Sequence, residues 1–116
     1  MYEFALLFRQ EDYDYSKVSP EKMKELAVKW QQWLGRIADQ GKLSNSGLRF
    51  APKGKVLRAG GIVTDGPFVD IKEMLGSFIV VSASDLEEAL ALAHGCPAIE
   101  ENGSVEVRPL FAGNFT

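Results

Sequence analysis

The segment Tyr2–Arg9 constrains the fold more than any other part of the chain. It reads as a strand: Phe4, Leu6 and Phe8 share one face by the period of two. Ala5 and Leu7, on the other face, are apolar as well. A strand apolar on both faces is central in its sheet or covered by a second layer. In a chain of 116 residues there is one core to bury and little surplus surface to cover it. The expectation is therefore a single domain over residues 1–116.

The rest of the pattern alternates between the two periodicities. After a polar loop over Gln10–Tyr15, Ser19-Pro20 opens a helix, with Ser19 as cap and Pro20 at the first helical position. Met23, Leu26, Ala27, Trp30, Trp33, Leu34 and Ile37 make its buried stripe, and Gly41 stops it. Leu43–Phe50 reads as a weaker strand diluted by Asn45, Ser46 and Gly47, and Ala51–Gly54 as a turn. Val56–Val63 reads as a bent strand with a bulge at Gly60-Gly61, and Thr64–Phe68 as a turn. Val69–Leu75 is ambiguous, and Phe78–Ser82 is rich in β-branched and aromatic residues. Ser84 to Glu87 has the spacing of a capping box before a helix with the stripe Leu86, Ala89, Leu90 and Ala93. Gly95 and Pro97 end it. After a turn at Asn102-Gly103, Ser104–Leu110 is a strand with Val105 and Val107 on one face and Glu106 and Arg108 on the other. The order predicts an α+β, ferredoxin-like domain, an antiparallel sheet with two helices on one face.

Charge and residue counts narrow the function classes. The net charge is −3, with a pI near 5.1 and no basic run, so no nucleic-acid partner is expected. One Cys and one His cannot build a Cys/His zinc site, and neither a metal nor a cofactor is expected. No apolar run approaches the roughly 20 residues that cross a bilayer. The N-terminus shows no basic region followed by a cleavable apolar segment, so a reducing, cytoplasmic home is the simplest expectation.

Thr64-Asp65-Gly66-Pro67-Phe68, followed by Lys72-Glu73 and Gly76, resembles the DGPF signature of the YCII-related (YciI-like) family. Glu88-Ala89, Cys96-Pro97, the Gly103–Pro109 ending and the Phe4–Arg9 strand before a Ser-Pro-Glu helix start extend the likeness over nearly the whole chain. The resemblance implies a ferredoxin-like sheet that pairs with a second copy, the dimeric α+β barrel arrangement, with a cleft beside that sheet. It implies no defined reaction. Some relatives accompany RNA polymerase sigma factors, so a partner in transcription machinery is a further expectation by family association. One branch carries a His–Asp pair, with the His near the start of the first helix. Here that region reads Pro20-Glu21-Lys22-Met23-Lys24, and the one His is His94, so the dyad does not transfer.

Each candidate site residue has a plain structural role beside a chemical one. Asp65 can bond downstream amides to set its turn, or serve as a general acid/base at a cleft. Gly60 marks a bulge where a ligand can approach. Lys72 and Glu73 are charges guarding an edge strand, or one of them is a partner for Asp65 at an anionic ligand. Arg9 and Arg108 close the first and last strands; they are exposed cations, with Arg108 opposed by Glu106 or another strand's carboxylate, or a pair of guanidinium forks for a carboxylate or phosphate. Trp30 and Trp33 read as core or dimer packing, His94 as a helix C-terminal residue, and Cys96 as a small buried hydrophobe. Gly60-Gly61 lacks the Gly-Lys-Ser/Thr ending of a phosphate loop. The expectation is a homodimeric module that binds a small anionic molecule. Its pocket is framed by the Asp65 loop, Gly60-Gly61 and the first helix. The alternative is an enzyme using Asp65 as acid/base, with Lys72 or Arg108 holding an anion.

Overall fold

The computed structural model of the chain describes residues 1–10, 18–51, 53–66, 74–100 and 103–111. Its elements are β1 (Tyr2–Gln10), α1 (Pro20–Asp39), β2 (Leu43–Arg49), β3 (Gly54–Arg58), β4 (Ile62–Gly66), β5 (Met74–Ala83), α2 (Leu86–Ala93), α3 (Pro97–Glu100) and β6 (Ser104–Pro109). The fold is α+β. Four strands form a sheet in the order β2-β5-β1-β6, antiparallel at every pairing, while β3 and β4 form a separate two-stranded arm. This order is consistent with a ferredoxin-like arrangement.

The two-sided apolar strand sits where its composition demands, between β5 and β6. Phe4, Leu6 and Phe8 pair with Val81, Ile79 and Ser77 on one side, and with Pro109, Val107 and Val105 on the other. Trp33 and Ile37 of α1, Ala89 and Ala93 of α2, and Ala98 of α3 pack on this face in one buried cluster. Phe8 meets Trp30 and Trp33 edge-on, with ring centroids 5.0 and 5.6 Å apart. The Trp33 indole N–H donates to the Leu92 carbonyl at 3.2 Å, so its polar edge is satisfied inside the core. Cys96 is fully buried, and its sulfur accepts from the Ala98 amide at 3.4 Å.

Local chemistry sets the helix ends. The Ser19 hydroxyl accepts from the Lys22 amide at 3.1 Å, and Gly41 takes φ 69° beyond the last turn of α1. The start of α2 lies one residue later than its capping-box spacing suggests. Asp85 is the cap, accepting from the Glu88 amide at 2.8 Å, and the Ser84 hydroxyl donates to the Glu88 carboxylate at 2.8 Å. Asp85 holds the extended backbone a cap requires, at φ −158°, and its carboxylate caps as well as a serine does. The expected α2 stripe is narrower than its spacing implies. Ala89 and Ala93 are buried, whereas Leu86 and Leu90 are exposed. Pro97 opens the short α3, using the first helical position where its missing N–H costs nothing. His94 is the C-terminal cap residue of α2.

Two further sequence expectations change. Gly60 and Gly61, expected as a bulge inside a bent strand, instead reverse the chain between β3 and β4 at φ 86° and 79°. Consecutive left-handed residues favour a hairpin loop over a strand. Thr64, Asp65 and Gly66, expected in a turn, are paired in β4 with Val56, Lys55 and Gly54. The loop over residues 11–15, Pro67-Phe68, most of the ambiguous stretch (69–73, with Lys72 and Glu73) and Asn102 lie outside the described residues.

Gly47 fixes how β2 lies on β5. Its φ is 69°, and a side chain there would collide with the Phe78 carbonyl. The Asn45 side chain accepts from its amide at 2.7 Å, and the β2–β5 register slips on both sides of Asn45. Gly47→Ala is therefore expected to lose about 2–4 kcal/mol, from left-handed strain plus overpacking, read as a lower urea midpoint. A second expectation concerns acid. The Lys42 ammonium, 2.9 Å from Glu88, and the Ser84 hydroxyl hold the Glu88 carboxyl below the usual carboxylate range. A carboxyl depressed on folding stabilises the fold above its unfolded value, and that contribution disappears as pH falls through the folded value. Glu88→Gln should flatten part of the stability slope between about pH 5 and pH 3. An unchanged slope across urea titrations would show that the pair is not coupled to folding.

Candidate functional site

Helices cover the Phe4 face of the sheet, so the opposite face carries the remaining chemistry. Alternation puts Glu3, Ala5, Leu7 and Arg9 of β1 on it, next to Phe78, Val80 and Ser82 of β5 and to Glu106 and Arg108 of β6. Among the described residues, the buried helical contacts all lie on the other face. The centre of this open face is apolar. Leu7, Phe78 and Val80 are half-buried, Ala5 is nearly covered by its neighbours, and Phe50 stacks on Phe78 with centroids 6.0 Å apart.

A row of charges borders it. The Arg9 guanidinium reaches one oxygen of Glu106 through Nε at 3.4 Å and Nη2 at 3.3 Å. The other Glu106 oxygen lies 3.9 Å from Arg108 Nε. Glu106 thus stands between two arginines, leaving one positive charge in excess. It holds the Arg9 fork in place, while the Arg108 side chain is two-thirds exposed. Such a row can take a carboxylate or phosphate at Arg108, with an apolar body lying over Leu7 and Phe78. The sequence placed Glu106 and Arg108 on one strand face. What it did not supply was the register that carries Arg9 to Glu106. The two arginines come together as the anion reading requires, but with a carboxylate between them.

The remaining described candidates lie on the arm. Asp65 pairs across it with Lys55, carboxylate to ammonium at 2.6 Å, and their side chains are 90% and 71% exposed. Together with Lys53, Gly54 and Gly66 they line an open depression of ≈ 420 Å³. Gly60 is in the loop at the far end of the arm, beyond the Arg58–Ile62 pair that is itself about 10 Å from Asp65 along the strand. Asp65 and Gly60 therefore do not converge on one cleft. Nor does α1 frame a pocket with Arg9 and Arg108, because it lies behind the sheet from them. Lys55 is a partner the sequence reading missed; its signal was a cation placed to pair with Asp65 once the intervening glycines form a hairpin. Among the described residues, no cluster of three His, Cys, Asp or Glu is arranged to hold a metal ion, and no helix is long and apolar enough to cross a membrane.

Comparison with known proteins places these features in context. The YCII-related domain family matches residues 3–114. A stretch of 50 residues is 46% identical to an uncharacterized protein of Rhizobium meliloti (strain 1021), covering 42% of this chain and 40% of that protein. The chain thus spans about two-fifths of the length of the curated relative it matches. Among solved structures, the chain is similar to a 5-chloro-2-hydroxyhydroquinone dehydrochlorinase from Burkholderia phenoliruptrix AC1100, in complex with 2,5-dihydroxybenzoquinone. That likeness covers 94% of this chain and 95% of the other, at 18% identity and a TM-score of 0.46.

An ion pair as exposed as Lys55–Asp65 contributes little to stability. Lys55→Ala and Asp65→Ala are each expected to change unfolding free energy by less than about 1 kcal/mol in urea. A larger loss would mean that the carboxylate has a further partner in solution.

Proposed function

This chain belongs to the YCII-related family, and from that premise we propose that it is a small-molecule-binding module of the DGPF branch. It works as a homodimer of the dimeric α+β barrel type and takes an anionic molecule against the open face of its sheet. The observation that carries this reading is the Arg9–Glu106–Arg108 row beside the apolar strip of Leu7, Phe78 and Val80. Residues half-buried on an otherwise uncovered face suit a symmetric partner, which turns two shallow faces into one enclosed chamber. Exclusion of water there strengthens a guanidinium's hold on an anion, because the surrounding dielectric falls. Glu106 keeps the site selective. It occupies the Arg9 fork and offsets one of the two positive charges, so the row prefers a singly charged group to a polyanion.

Binding is expected to show as thermal stabilisation. Inorganic phosphate, benzoate and citrate serve as probes, benzoate being the one whose apolar ring and single carboxylate match the row. At 100 times its dissociation constant, a ligand of the folded state adds about 2.7 kcal/mol, visible as a shift of several degrees. Arg108→Ala should weaken the effective probe about tenfold or more, since a charge-assisted hydrogen bond contributes about 1.5–3 kcal/mol. The reading fails if none of the probes raises the melting temperature, or if Arg108→Ala responds as the wild type does.

A further inference from the structure

The β3–β4 arm is a hairpin without a core of its own. Its pairing alternates two faces. One carries Val56 and Thr64, both half-buried, with the exposed Ile62 toward the tip. The other carries the cross-strand pair Leu57 and Val63, which are 73% and 58% exposed, next to the pair Lys55 and Asp65. An isolated two-stranded hairpin is marginally stable at best in water, and stability comes when its apolar face packs on something else. Among the described residues, nothing in the same chain covers Leu57 and Val63.

We propose that this face of the arm docks on a second copy of the chain, so that each copy clasps the other. The inference rests on the homodimer reading above and adds the part of the molecule that holds the dimer together. Two observations favour a second copy over a partner of another kind. The first is charge. The Leu57–Val63 pair is flanked on its own face by one ammonium and one carboxylate, opposite each other across the arm. Under a two-fold axis such a face is its own complement, with each Lys55 able to meet the other copy's Asp65. A strongly acidic or basic partner would gain from one of these charges and be repelled by the other. The second is position. Phe50, exposed and just past the end of β2 that leads into the arm, stacks on Phe78 of the open sheet face, the face that the homodimer reading gives to the partner. The exposed Leu57 and Val63 therefore add to a larger interface rather than having to form one alone.

The test is sedimentation of the full chain from 1 to 100 μM, with a Leu57→Ser/Val63→Ser double variant beside it. The wild type is expected to be dimeric at the upper concentrations, and the double variant to dimerise at least tenfold more weakly. Its core is expected to stay intact, judged by unchanged tryptophan fluorescence from the Trp30–Trp33 pair. Hydrogen exchange on the wild type reads the arm without any substitution. Amides of residues 55–65 should gain protection as concentration rises through the dimerisation range. A wild-type dimer that the double variant leaves intact, with no concentration-dependent protection of the arm, overturns this proposal and leaves the homodimer reading standing. A wild type that is monomeric at 100 μM overturns both. In the anion experiment, a lost response to benzoate in a protein that still dimerises through its arm overturns the binding reading alone.

Discussion

Trp33 is the contact on which the rest of the structure depends. Its ring meets Phe8 of β1 and Trp30 of α1 edge-on, and its indole nitrogen donates to the Leu92 carbonyl of α2. One side chain thereby joins the central strand and both longer helices. Its hydrogen bond permits a tryptophan to be almost fully buried without leaving a polar group unpaired. No polar or charged residue is buried among the described residues, so apart from this bond and the one from the Ala98 amide to the Cys96 sulfur the described core rests on apolar contact. Because Trp33 gathers the helices behind one face, that side of the sheet is covered, and among the described residues no helix packs on the other. The molecule is 19 Å through its thinnest axis, room for the sheet and one helical layer about 10–12 Å across.

The features legible in the sequence were those with a single periodic cause. The two-sided run of β1 and the alternation of β6 appear in the structure with the faces their spacing gave them, whereas the α1 stripe is buried only at Trp33 and Ile37 and its expected member Ala27 is exposed, because the first half of the helix packs less closely. What failed was the reading of residues with more than one local use. Glycines suit bulges and hairpin loops alike, and only the pairing of Lys55 with Asp65 and of Val56 with Thr64 shows that Gly60 and Gly61 reverse the chain. Ser84 and Asp85 both cap helices, and the two possible starts differ by one residue. Gly47 looked like a weakness in β2. Its need is set by the Phe78 carbonyl, more than thirty positions away, and no local pattern carries that information.

The candidate site divides in the same way. Residue type alone pointed to Arg9 and Arg108, and the fold brings them to one face because β1 and β6 are neighbours. The antiparallel register then sets Glu106 between them, which changes the chemistry from a doubly cationic clamp to a row with one charge in excess. Asp65, the residue most prominent in the DGPF signature, belongs to a different part of the molecule from the arginines. It faces a lysine in the open. Such a pair holds geometry and solubility more than it adds stability, because solvent screens it.

The irregular course of β2 has a consequence for assembly. A strand at the rim of a sheet is a template for endless growth when its free amides and carbonyls form an unbroken row. On one rim of this sheet, β2 slips register on either side of Asn45 and passes through a left-handed glycine. On the other rim, β6 ends in Pro109, which has no amide hydrogen to offer. Neither rim is a clean template for a further strand, so ribbon-like polymerisation is disfavoured at both. Growth by edge addition has no natural start, and association is left to surfaces that can close on themselves and stop at a finite size.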